Sequence, residues 1–214
     1  SIEQSIKATK MLKEVGLKVD HHYMPDLPGS TPAKDLKMMK YVYSSPDLQP
    51  DQIKIYPCIV NEYAELSKWY KEGKYKPFSA KELLDLLLKI KLLTPPWIRI
   101  NRLIRDIPEE SIMAGNKITN LRQYLQTELK KQGKTCQCLR CREVRGRTKD
   151  NDQMILVKRE YRASEGTEIF ISFESKDNAL AISTICLSET LRSETKLFVS
   201  ILLPMLSSKI RAFE

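Results

Sequence analysis

The 214 residues hold 36 lysines and arginines against 27 acidic side chains, a net charge of +9, with 42% hydrophobic and 29% charged residues. Such a chain can bury a core as one large domain or two smaller ones, and its basic balance points to an anionic partner, nucleic acid before an acidic membrane. No apolar run reaches the about 18 residues of a membrane span, and five cysteines, an odd set, argue against a secreted disulfide framework and for a reducing, cytoplasmic setting.

Residues 2–15 place Ile2, Ile6, Ala8, Met11, Leu12 and Val15 near one helical face, and Gly16 stops the helix. A short strand over 18–24 is broken by Pro25 and by Leu27-Pro28-Gly29. Ser30 or Thr31 caps a helix that opens with Pro32 and runs to about Tyr43. Residues 52–60 are rich in β-formers, with Pro57 at an end or a bulge. Helix, strand, helix, strand is the rhythm of a parallel α/β sheet or barrel, and because a helix leads, the chain is expected to begin in mid-fold.

Two helices follow, over 62–72 and 81–92, the second opened by the capping box Ser79-Ala80-Lys81-Glu82 and closed by Thr94-Pro95-Pro96. Residues 97–105 alternate as a strand bearing Arg99, Arg102 and Arg105. A helix from Asn120 to Gln132, ended by Gly133, delivers the most informative stretch, residues 130–149. It carries Cys136, Cys138 and Cys141 in a C-x-C-x-x-C spacing, with eight lysines or arginines and one acid, Glu143. Three soft thiolates within six residues can wrap one tetrahedral ion, and zinc is the default for a sulfur-rich site. A redox thiol cluster is the rival reading, since the usual second C-x-x-C pair is missing. The basic flank is a candidate polyphosphate surface, although a charge run is often only a solvated face.

Beyond Asp150 the pattern changes to strands over 154–163, 167–174, 180–187 and 196–203, with a turn at Ser164-Glu165-Gly166. The domain boundary is expected across 146–153. Cys58 and Cys186 stand alone in predicted strands and read as core residues. His21 and His22, the only histidines, precede Met24-Pro25 at a strand end, the edge where α/β sheets place ligands. A structural role fits the pair equally well. Residues 68–78 interleave lysines with Trp69, Tyr70, Tyr75 and Phe78, a pattern suited to stacking bases and, better, to a helix end packed on the core.

Several stretches together resemble the family of Elongator catalytic subunits, radical S-adenosylmethionine enzymes with an acetyltransferase-like domain that modify wobble uridine in tRNA. They are HYMPDLPGS from His22, IKIYPCIV from Ile53, WYKEGKYKPFS from Trp69, PPWIRINRLIRDIP from Pro95, NLRQYL from Asn120 and CQCLRCREVRG from Cys136, in the family's order. The resemblance covers residues 1 to about 163 and is faint beyond. It implies an α/β partial radical-enzyme barrel over 1–110, a linker helix and zinc-bearing basic arm over 111–152, and an antiparallel start of a GNAT-like α+β domain over 153–214. The implied metal ligands are Cys136, Cys138 and Cys141, and His22 and Met24 sit in the barrel's ligand loop. Lys130, Lys131, Lys134, Arg140, Arg142, Arg145 and Arg147, with Arg99 and Arg102, are the expected tRNA contacts. The complete enzyme would carboxymethylate the uridine with a 4Fe-4S cluster, S-adenosylmethionine and acetyl-CoA. Its partners would be tRNA and other Elongator subunits or missing parts of the same enzyme, with no membrane. No cluster-type cysteine trio and no G-x-G loop occurs here, so this chain alone is expected to be inactive and to supply tRNA binding and domain coupling. The alternative is a non-catalytic zinc-containing RNA-binding or assembly module. A zinc hydrolase is disfavoured because no H-x-x-x-H is present.

Overall fold

A computed structural model describes residues 1–104, 107–118, 120–144 and 154–176, and the backbone of 181–188. Arg105, Arg145, Arg147, the strand expected over 196–203 and the boundary at 146–153 lie outside the described residues, as does the side chain of Cys186. In chain order the elements are α1 (Ile2–Glu14), β1 (Asp20–Tyr23), α2 (Pro32–Ser44), β2 (Gln52–Ile55), β3 (Ile59–Asn61), α3 (Leu66–Lys71), α4 (Ala80–Leu93), β4 (Arg99–Arg102), β5 (Ile112–Gly115), α5 (Leu121–Lys131), α6 (Leu139–Arg142), β6 (Met154–Ala163), β7 (Gly166–Ser175) and β8 (Ala181–Ser188). They form mixed α/β architecture with small sheets, divided into two compact units.

One unit comprises Asp20–Ser44 and Asp51–Glu143. Its parallel sheet runs β1-β2-β4, with His21 opposite Ile53 and Ile53 opposite Ile100. Parallel strands need a crossover element between them, and α2 and α4 supply it, packing on each other over the sheet. The core holds Ile53, Ile55, Ile98 and Ile100 from the sheet side, and Met39, Val42, Leu83, Leu86, Leu87 and Ile90 from the helices. Helix α4 starts at the expected capping box: Oγ of Ser79 accepts from Glu82 N at 3.3 Å, and Oε2 of Glu82 accepts from Ser79 N at 2.9 Å.

The strand expected over 52–60 is two strands. Pro57 has no amide to give a ladder, so after Tyr56 N donates to Tyr23 O (2.8 Å) and Cys58 N to Pro25 O (2.9 Å) the chain leaves the parallel sheet. As β3 it then pairs antiparallel with β5, a strand that four residues without alternation did not announce. The helix expected from 62 starts only at Leu66, because Tyr63 N donates to Oδ1 of Asn61 in a side-chain turn that competes with helix.

The other unit contains residues 1–19 and 45–50 and the strands β6, β7 and β8, an antiparallel meander in that order. Ser164 (φ 45°) and Glu165 (φ 70°) form the two-residue hairpin loop between β6 and β7, the positive-φ pair that matches strand twist. Helix α1 turns the expected face outward: Met11 and Val15 are exposed, while Thr9 and Lys13 are buried. The cause is an ion pair from Nζ of Lys13 to Oε1 of Glu168 on β7 at 3.6 Å, both side chains almost fully enclosed. Nearby, Glu174 is fully buried between Arg159 (2.6 and 2.8 Å) and Oγ of Ser172.

Candidate metal centre and basic arm

Helix α5 buries Leu121, Leu125 and Leu129, one residue per turn, and ends where Gly133 adopts φ 65°. The chain then doubles back through Lys134 and Thr135 into the cysteine knuckle. Cys138 occupies the cap position of α6, and Cys141 N and Arg142 N both donate to its carbonyl. This short turn brings the three sulfurs within 4.8 Å of one another. Cys136 and Cys138 are buried and Cys141 is half-buried, all packed on the core under β4.

The knuckle is fastened to residues 96–101. Leu139 N donates to Ile98 O at 3.1 Å. Arg142, only 2% exposed, donates from Nε to Gln137 O and from a terminal nitrogen to Pro96 O, each at 2.8 Å. Arg122 of α5 donates to Ile100 O at 2.7 Å, and Arg99 meets Glu143 at 3.3 Å. Around Cys141 three donors converge on one sulfur: Lys91 at 3.4 Å, Gln126 at 3.4 Å and Arg122 at 3.9 Å.

Hydrogen bonds from Cys136 and Cys138, with Lys91 and Arg122 nearby, hold the Cys141 thiol well below the usual thiol range. The Cys136 thiol is pushed up by its hydrogen bonds to Cys138 and Cys141 and by burial. Cys141 is thus the sulfur on which the nearby cations act, beside two more enclosed ones. Tetrahedral zinc with sulfurs at about 2.3 Å requires sulfur–sulfur separations of about 3.8 Å, and the three sulfurs already lie within 4.8 Å of one another. The donor set thus fits a thiophilic divalent ion.

The expected basic surface divides. Lys130, Lys131, Lys134 and Arg102 are exposed, and Arg140 and Arg99 are half-buried, Arg99 being paired with Glu143. Arg142 is 2% exposed, and two of its guanidinium nitrogens donate to carbonyls inside the fold. The cations that support the cysteines are Lys91 and Arg122, outside the arm. Lys91 was legible in principle, as a lysine placed by helical period among Leu83, Leu87 and Ile90 on the buried face of α4.

At the carboxyl end of the parallel sheet, Met24 and Tyr56 open a cavity of about 330 Å³ with Pro57, Cys58, Ile59, Asn61, Ala64, Ile104, Ile107, Ile112 and Asn116. His22 is exposed on β1, with Nε2 3.1 Å from Nζ of Lys54 and its ring edge-on to Tyr56 at 5.7 Å. His21 Nδ1 meets the Tyr23 hydroxyl at 2.9 Å. Behind this edge, Asp26 (φ 68°) is buried: its carboxylate accepts Phe78 N at 3.0 Å, its carbonyl accepts the Tyr75 hydroxyl at 2.7 Å, and its amide donates to Asp35 at 2.8 Å. No helix among the described residues is long and apolar enough to cross a membrane.

Residues 50–131 match the Radical_SAM C-terminal domain. Over 195 residues the chain is 42% identical to the tRNA uridine(34) acetyltransferase of Methanocaldococcus jannaschii, covering 88% of this chain and 36% of that protein. Elongator complex protein 3 of Saccharomyces cerevisiae is 36% identical over 187 residues, covering 86% of this chain and 34% of its own length. The human protein of that name is 34% identical over 192 residues, covering 86% and 35%. The solved archaeal Methanocaldococcus infernus Elp3 with an N-terminal deletion superposes with a TM-score of 0.82 at 42% identity, covering 88% of this chain and 46% of that one. The chain spans about a third of the length of the curated relatives it matches.

Proposed function

Since the chain is a homologue of the tRNA uridine(34) acetyltransferases and of Elongator complex protein 3 and carries a radical-SAM C-terminal domain, we propose that it works in the modification of wobble uridine in tRNA. In this reading its share of a carboxymethylating reaction is tRNA binding and the coupling of the radical-enzyme region to a GNAT-like acetyltransferase region that starts at β6. The complete enzyme would use S-adenosylmethionine, a 4Fe-4S cluster and acetyl-CoA. The observation that carries the reading is the tri-cysteine knuckle fastened to β4, with Lys130, Lys131 and Lys134 exposed on the same arm.

Cys136, Cys138 and Cys141 would hold zinc, whose contribution would be structural: it would order a charged, loop-rich knuckle that hydrogen bonds to residues 96–101 hold on the core. The exposed lysines then meet phosphates from a fixed platform, with Arg140 and Arg102 alongside and Arg145 and Arg147 following in sequence. Each phosphate neutralised releases counterions, so affinity for tRNA falls steeply with salt.

The test is tRNA binding by the zinc-loaded chain across a salt series, with Lys130, Lys131 and Lys134 changed together to glutamate. Each lost phosphate contact removes about 0.7–0.9 from the slope of log affinity on log salt. The triple variant should bind more weakly with a slope flatter by about 2. Parent-like affinity and slope in a variant that keeps its fold would reject the arm as the RNA surface.

A further inference from the structure

Lys91 is fully buried in the last turn of α4, beside Leu87 and Ile90. An ammonium in such a place is strongly disfavoured unless a negative charge accompanies it. Among the described residues no carboxylate reaches it, and its partner is Sγ of Cys141 at 3.4 Å. That same sulfur receives the Gln126 amide at 3.4 Å and the Arg122 guanidinium at 3.9 Å. Arg122 also donates to the carbonyls of Ile100 and Asn101, at 2.7 and 3.3 Å, and lies farther from the sulfur, whereas the Lys91 ammonium has Cys141 Sγ as its near partner.

Three thiolates around one divalent ion leave a single negative charge. We propose that Lys91 is the built-in counter-ion of this centre: its ammonium cancels that charge through Cys141 and so sets the affinity of the knuckle for a divalent thiophilic metal. Lys91 is a positioning and charge-balancing residue, not a ligand. Its place on α4 also joins the knuckle electrostatically to the helix that crosses over the sheet. The inference rests on the metal reading above.

The charge argument separates this role from packing. With Cys141 replaced by serine, two thiolates and a divalent ion already sum to zero, and the lysine has nothing left to balance. Four versions of this chain decide the matter: parent, Lys91→Met, Cys141→Ser, and the double variant. Affinity for Cd²⁺ is measured in each by competition with a chromophoric chelator, and Co²⁺ is used to record the thiolate-to-metal absorption. Lys91→Met in the parent background should weaken Cd²⁺ binding 10–100-fold, the range found when the outer partners of a metal ligand are removed, with the tetrahedral Co²⁺ bands retained. In the serine background the same change should alter affinity by less than about threefold, because no net charge remains to balance. Lys91→Gln, which keeps a donor and drops the charge, replaces the methionine variant if that fails to fold and should give the same pattern. Equal binding by parent and Lys91→Met, or the same loss in both backgrounds, overturns this inference alone. A parent chain that takes up neither Cd²⁺ nor Co²⁺ overturns the metal reading and this inference with it.

Discussion

Replacing Asp26 by asparagine should make the protein less sensitive to alkaline pH. Burial raises the Asp26 carboxyl from an ordinary 3.8 to about 7, against the opposing hydrogen bond from Phe78 N and reinforced by the charge of Asp35. An acid whose folded pKa exceeds its unfolded value holds more protons in the fold between the two, so the stability it contributes is full below 3.8 and is lost as pH rises towards about 7. At 1.36 kcal/mol per pKa unit, the loss between pH 4.5 and pH 8 is about 3 kcal/mol. Asparagine keeps a carbonyl oxygen for Phe78 N, tolerates the φ of 68° found here, and never ionises. The gap between Asp26→Asn and parent should therefore widen in favour of the variant by about 3 kcal/mol from pH 4.5 to pH 8, read from urea unfolding at three pH values. Taking the difference cancels effects common to both proteins, including protonation of the cysteines. A gap that stays flat within about 0.5 kcal/mol, or one that closes, refutes the account of a carboxyl held protonated by burial.

Three further outcomes are expected. Cys138→Ser should abolish stoichiometric zinc in metal-replete protein by elemental analysis, and full occupancy would count against the three-sulfur site. Arg142→Gln should cost about 2–4 kcal/mol in urea unfolding, since the carbonyls of Pro96 and Gln137 lose a charged donor, while the salt slope of tRNA binding stays unchanged. A flattened slope would instead return Arg142 to the RNA surface. Gly115→Ala should cost about 1–3 kcal/mol, because φ there is 106° and an added Cβ would meet Cys58 O and Cα of Ile59, each at 3.1 Å; unchanged unfolding would show that the β3–β5 pair gives way easily.

Where a residue's neighbours in sequence decide its conformation, the structure was legible beforehand. The capping box at Ser79, the hairpin turn at Ser164 and Glu165 and the crowding of three cysteines are all local events. Long-range pairing hid the rest. Strand β5 exists because β3 needs a partner after Pro57 diverts it, and nothing within residues 112–115 says so. Helix α1 presents an apolar stripe, yet Lys13 faces inward because its acid, Glu168, arrives more than 150 residues later. In the candidate site the gathering of the three cysteines was legible and their surroundings were not. Arg142 looked like one more cation in a basic run, but packing turned it to face carbonyls of the 96–101 segment and handed charge support of the sulfurs to Lys91 and Arg122.

The fastening of the knuckle to residues 96–101 has a consequence for a severed chain. The joint between α5 and the cysteines, Gln132 to Thr135, is exposed, whereas Leu139, Arg142 and Glu143 grip the 96–101 segment by their own hydrogen bonds and ion pair. A backbone cut at that joint would leave two pieces that still clasp each other, with the third sulfur held against a helix of the first piece. All three sulfurs lie on the second piece, so a metal held there would not bridge the cut, and the two pieces would stay together or part according to the carbonyl contacts, the Arg99–Glu143 pair and the Lys91–Cys141 contact alone.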